Sequence, residues 1–121
     1  MRITEYPIWT DTDWVELTSY SSDWRRSSGQ GCWYRRKGNV VTITINANPT
    51  KTLSSSTIIL TLPSEIRSSR RIEYGSSTNG LLFNGNVGID GAVVISPAYK
   101  SGSVVNWTTS NWVGFNINYT I

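Results

Sequence analysis

From residue 113 onward apolar side chains occupy every second position. Val113, Phe115, Ile117, Tyr119 and Ile121 share one face, and Gly114, Asn116, Asn118 and Thr120 take the other. A strand buried on one side and open on the other has this period. A second run sets Val41, Ile43, Ile45 and Ala47 against Val40, Thr42, Thr44 and Asn46. A third groups Ile58, Leu60 and Leu62 and stops at Pro63, which has no N–H to give a ladder. Apolar residues almost never recur at the three-and-four spacing of an amphipathic helix, and β-branched residues dominate.

Turn chemistry separates these runs. Asp90-Gly91, between Val87-Gly88-Ile89 and Val93-Val94-Ile95, predicts a tight hairpin, because two-residue turns need positive φ. Lys37-Gly38-Asn39 predicts another, joining Trp33-Tyr34-Arg35-Arg36 to Val40-Val41-Thr42-Ile43. Asn79-Gly80 and Asn84-Gly85 divide the middle of the chain into short strands, and Ser54-Ser55-Ser56, Ser68-Ser69 and Ser76-Ser77 read as loop tips. About eight strands with turn signals roughly every 8–12 residues predict an all-β antiparallel sandwich or barrel.

Length and composition narrow the function. The 121 residues make one domain, 1–121, in which residues 1–13 form an apolar N-terminal segment expected to pack at an interface through Ile3, Tyr6, Ile8 and Trp9. No stretch approaches the roughly 18 apolar residues of a membrane span, and Met1-Arg2-Ile3-Thr4-Glu5 lacks the apolar run of a signal peptide. The net charge of +3 comes from small separated groups, Arg25-Arg26, Arg35-Arg36-Lys37 and Arg70-Arg71, so nucleic acid is not an expected partner. With one cysteine, Cys32, and no histidine, zinc sites and Cys/His or Ser/His/Asp catalysis are excluded within one chain. Asp11-Thr12-Asp13 alternates carboxylates as calcium loops do, without the later Glu of the full pattern, so no metal or other cofactor is expected.

The ordered motifs resemble a known family. Trp14-Val15-Glu16-Leu17 is followed by Trp33-Tyr34-Arg35-Arg36-Lys37-Gly38-Asn39-Val40-Val41-Thr42-Ile43, by Ile59-Leu60-Thr61-Leu62-Pro63, by Ile89-Asp90-Gly91-Ala92-Val93, and by Trp112-Val113-Gly114-Phe115-Asn116-Ile117-Asn118-Tyr119. In order and spacing, over roughly residues 14–121, this is similar to the C-terminal head domains of phage receptor-binding proteins, the tail-fibre or baseplate tips of phages that infect Gram-positive bacteria. The chain departs from that pattern after Pro63, where Ser64-Glu65-Ile66-Arg67-Ser68 replaces the glycine–tyrosine–arginine–proline turn of many relatives. The resemblance implies a β-sandwich or jelly-roll-like head, a homotrimer held among other phage tail proteins in the virion after synthesis in the host cytoplasm. It also implies a partner, the polysaccharide of the host cell surface, bound without catalysis.

Saccharides are held by flat aromatic faces with a few polar groups around them. Of the tryptophans, Trp14, Trp33 and Trp112 have apolar sequence neighbours and are expected in the core. Trp24 and Trp107 lie in polar stretches, and their bland alternative is a loop ring folded back over the core. The expected saccharide site therefore consists of Trp24 with Asp23 and Arg25, and of Trp107 with Asn106 and Tyr99. Two other readings stand beside the binding head. One is a structural fibre or baseplate tip that contacts protein. The other is a small glycan-degrading enzyme, for which no pair of acids is placed across a cleft by the sequence.

Overall fold

The computed structural model describes residues 11–121. The expected interface segment at Ile3, Tyr6, Ile8 and Trp9 lies outside the described residues. The fold is all-β: two curled antiparallel sheets face each other as a sandwich, and the described residues contain no α-helix. The first sheet contains β1 (Val15–Leu17), β2 (Trp24–Arg26), β3 (Cys32–Lys37), β4 (Val40–Pro49) and β11 (Val113–Thr120). The second contains β5 (Thr57–Thr61), β6 (Ile72–Thr78), β7 (Leu81–Val87), β8 (Ala92–Ile95), β9 (Ala98–Lys100) and β10 (Ser103–Val105). Eleven strands replace the expected eight because β2, β9 and β10 are three-residue pieces whose alternation is too short to read.

The first sheet is organised around β4. One edge of β4 pairs with β11 from Val40↔Thr120 to Ala47↔Val113, and the other pairs with β3 and then with β2. The period-two faces hold: Val41, Ile43, Ile45 and Ala47 are buried, as are Val113, Phe115, Ile117 and Tyr119. The second sheet is organised around β7, which has β6 on one edge and β8 followed by β9 on the other. After β1 the chain crosses between the sheets and lies along β5, where the N–H of Ser21 donates to the Ile59 carbonyl at 2.9 Å. Elsewhere Leu53 and Trp107 exchange backbone hydrogen bonds of 2.8 and 3.0 Å.

The turns follow local chemistry in most places. Asn79-Gly80 joins β6 to β7 with both residues at positive φ, and Gly91 at φ +86 closes the hairpin that pairs Val87 with Val93. Gly38 at φ +58 turns β3 into β4. Two expectations fail. Asn84-Gly85 lies inside β7, not at a turn: a β-carbon on Gly85 would come under 3.0 Å from the Val94 carbonyl and the Tyr74 hydroxyl, so the glycine makes room for that tyrosine. Ser76-Ser77 likewise lies within β6. A register shift between Ile58 and Leu60 also breaks the third alternation, exposing Ile58 and burying Ile59 and Leu60 together.

A chain of aromatic rings crosses the interior from one sheet to the other. Tyr74 stacks on Phe115 with centroids 5.0 Å apart, Phe115 meets Phe83 edge-to-face at 5.1 Å, Phe83 meets Trp107 at 5.7 Å, and Trp107 meets Trp24 at 6.2 Å. Edge-to-face and offset pairs at this spacing add about 0.5–1.5 kcal/mol each beyond the area they bury.

Candidate functional site

The structure inverts the expected division of the tryptophans. Trp24 is 2% exposed and Trp107 is 0% exposed, so neither ring is offered to a ligand. Trp107 Nε1 donates to the Ser96 carbonyl at 2.8 Å, which satisfies its one polar group inside the core. The fold does bring the Trp24 and Trp107 rings together, 6.2 Å apart, but as interior packing between the sheets. The polar neighbours that suggested exposure are the outward-facing residues next to inward-facing rings.

The other expected site residues fall in separate places. Asp23 accepts from the Thr57 hydroxyl at 2.6 Å and pairs with Lys51 at 3.3 Å, and these two contacts hold its carboxyl below the usual carboxylate range. It thus ties the start of β2 to β5 and to the segment after β4 that carries Lys51. Arg25 is exposed on β2, and Asn106 is exposed beside Trp107. Tyr99 is exposed on the outer face of the second sheet, directly between Leu82 and Val104. These residues do not converge on one cavity.

The aromatic surface lies on the outer face of the first sheet. Cys32 and Tyr34 point inward, so Trp33 between them points outward. It stands in a row with Glu16, Thr44 and Asn116. The indole N–H of Trp33 donates to the Gln30 carbonyl at 2.8 Å, which fixes the ring. Trp14 is 44% exposed at the start of β1, and the Arg35 guanidinium sits 5.0 Å from its ring centroid. Trp112 precedes the inward-facing Val113, and its six-membered ring occupies the space a β-carbon on Gly114 would need.

Trp14, Trp33 and Thr44 line a recess of about 370 Å³ whose walls are almost wholly apolar. Polar groups border it. Glu16 is already engaged by Arg26 at 2.6 Å, and the Thr42 hydroxyl donates to Asn118 Oδ1 at 2.8 Å. Thr44 and Asn116 make no side-chain hydrogen bond among the described residues, so both are available beside the Trp33 ring. A wider recess of about 520 Å³ lies on the second sheet, over Gly75, Asn84 and Asn86. It carries the Arg71–Glu73 ion pair and no tryptophan lines it, so the tryptophan surface among the described residues is confined to the outer face of the first sheet.

The signal for this face was present in the sequence. The alternation that sends Val113 and Phe115 inward sends Trp112 and Gly114 outward, and apolar sequence neighbours do not change that parity. No family model, curated protein or solved structure matches the chain.

Proposed function

We propose that this chain is a non-catalytic saccharide-binding head, of the kind that phage receptor-binding proteins carry, and that it attaches to cell-surface polysaccharide through the outer face of its first sheet. One observation carries the reading: Trp14, Trp33 and Trp112 all lie on that face, away from the core that tryptophans normally fill. Trp14 is exposed, and Trp33 and Trp112 are partly buried. The open parts of these indoles supply flat apolar surface for the C–H side of a sugar ring, while Thr44 and Asn116 supply donors and acceptors for its hydroxyls. The ordered resemblance over residues 14–121 supports the phage assignment independently.

The trimer that the resemblance implies has a candidate contact on the opposite side of the sandwich. Leu82, Tyr99 and Val104 lie directly across from one another on β7, β9 and β10, and Leu82 and Val104 are 60% and 61% exposed. That apolar row also favours the structural-tip reading, in which the head contacts protein. A single head binding through exposed rings holds its sugar in the micromolar to millimolar range, about −4 to −8 kcal/mol, and three heads would gain by avidity.

The test is a polysaccharide array probed with the purified domain and with Trp33→Ala and Tyr99→Ala. The saccharide reading expects binding that is lost in Trp33→Ala and kept in Tyr99→Ala. Binding to no polysaccharide, or equal binding by all three proteins, would overturn it.

A further inference from the structure

The placement of the three outward tryptophans says what form of saccharide the face takes. Continuing the Val15↔Tyr34 register by one residue sets Trp14 opposite Arg35, one row along from Trp33. With strands about 4.8 Å apart and residues rising about 3.4 Å, Trp14 and Trp33 are rooted about 8 Å apart, and Trp33 lies about 12 Å from Gly114, where the Trp112 ring rests. The three positions fall along a diagonal across β1, β3, β4 and β11 rather than around a pocket. Thr44 and Asn116 stand on the same stretch of sheet, between and beside the rings.

Resting on the saccharide-binding reading above, we infer that this diagonal is a track for the interior of an extended glycan chain, not a pocket for a terminal sugar. Among the described residues no wall closes around a chain end on this face, where Trp14, Trp33 and Thr44 line an open recess. Charge agrees with this occupant. The carboxylate of Glu16 is taken by Arg26. At the Trp14 end Arg35 and Lys37 share the surface with Asp13, beside Trp14, and with Asp11, whose carboxylate accepts from the Gly38 N–H at 2.7 Å, so neither sign dominates. The track therefore suits a hydroxyl-rich chain without strong charge, met along its middle by Thr44 and Asn116. Each ring alone holds little. A chain that spans all three, about 20 Å by the same strand spacings, gains each further contact without a new loss of translational freedom.

The experiment takes a polysaccharide that binds on the array, cleaves it into size-graded fragments from one sugar unit upward, and titrates each into the whole chain by calorimetry. A track requires affinity to climb by about tenfold or more with fragment length and to level off once the fragment spans the three rings. Trp33→Ala should flatten this climb, because it removes the middle contact. Gly114→Ala, which displaces the Trp112 ring, should shorten the length at which it levels off. Thermal melts of both variants show that they are folded. The wild-type length series decides the matter even if a variant is not. Single units that bind as tightly as long fragments would overturn the track and leave the saccharide reading standing. No binding by any polysaccharide, or loss of self-association in Trp33→Ala, would overturn both.

Discussion

Replacing Trp107 with phenylalanine and Trp33 with alanine separates the inside of this molecule from its outside. Trp107 has no exposed surface, packs against Trp24 and Phe83, and donates to the Ser96 carbonyl. Truncating such a ring to alanine costs about 3–5 kcal/mol, and orphaning a buried carbonyl adds about 1–3 kcal/mol. That sum is a large part of the about 5–15 kcal/mol that holds a domain together, so Trp107→Ala is too severe to be informative. Trp107→Phe keeps an aromatic ring in the gap and loses the N–H and part of the contact with Trp24. The expected cost is about 2–3 kcal/mol, which for a domain of this size lowers Tm on the order of 10 °C. Trp33→Ala removes a partly buried ring and one hydrogen bond at the surface, with an expected cost of about 1 kcal/mol. Urea unfolding with fluorescence and circular dichroism together gives both values, provided the m-values agree with the wild type. A larger loss in Trp33→Ala than in Trp107→Phe would refute the assignment of faces.

Further expectations follow from single contacts. Phe115→Ala, between Tyr74 and Phe83, should cost about 3–5 kcal/mol in the same urea assay. Gly85→Ala should lower Tm more than any surface substitution, or prevent folding, because the Val94 backbone cannot move aside for a methyl group. Burial pushes the Cys32 thiol pKa up, so a thiol reagent at pH 8 should leave the native protein unlabelled and modify it fully in urea. Asp23 is held below its ordinary value by Thr57 and Lys51, so its stabilisation is present above the unfolded carboxylate pKa of about 3.9 and is lost as pH falls through the folded value. Asp23→Asn should accordingly flatten the fall of Tm below about pH 4, measured by calorimetry.

The sheet faces were legible because period two survives wherever a strand is long enough to display it. The runs at Val41–Ala47 and Val113–Tyr119 needed only the rule that one face is dry. The run at Ile58 did not survive, since a bulge inserts one residue and changes parity without any marker in the sequence. Gly85 reads as a turn in the sequence because a glycine that admits a neighbouring ring and one that admits positive φ look alike in one dimension. The tryptophans were assigned from the polarity of their neighbours, and that criterion fails in a sheet whose adjacent residues face opposite ways. Parity at Val113 and at Tyr34 would have placed Trp112 and Trp33 outside. The inward course of Trp107 depends on its bridge to Leu53, more than fifty residues away, which no local pattern records.

The pairing of β4 with β11 also governs how the molecule comes to be folded. Val40 meets Thr120 and Ala47 meets Val113, so the central strand waits for a segment some sixty-six to eighty residues further along the chain. Loop closure over that distance precedes any gain from the contacts, which places folding among the slow β-rich cases, on the order of milliseconds to seconds. Until then the hairpin of β3 and β4 leaves one edge of β4 unpaired, with Val41, Ile43 and Ile45 uncovered. Such an edge is a template for any other extended chain. A chain interrupted before residue 113 would keep its hairpins and lose the strand that pairs with the free edge of β4, and its fate would be association with other chains.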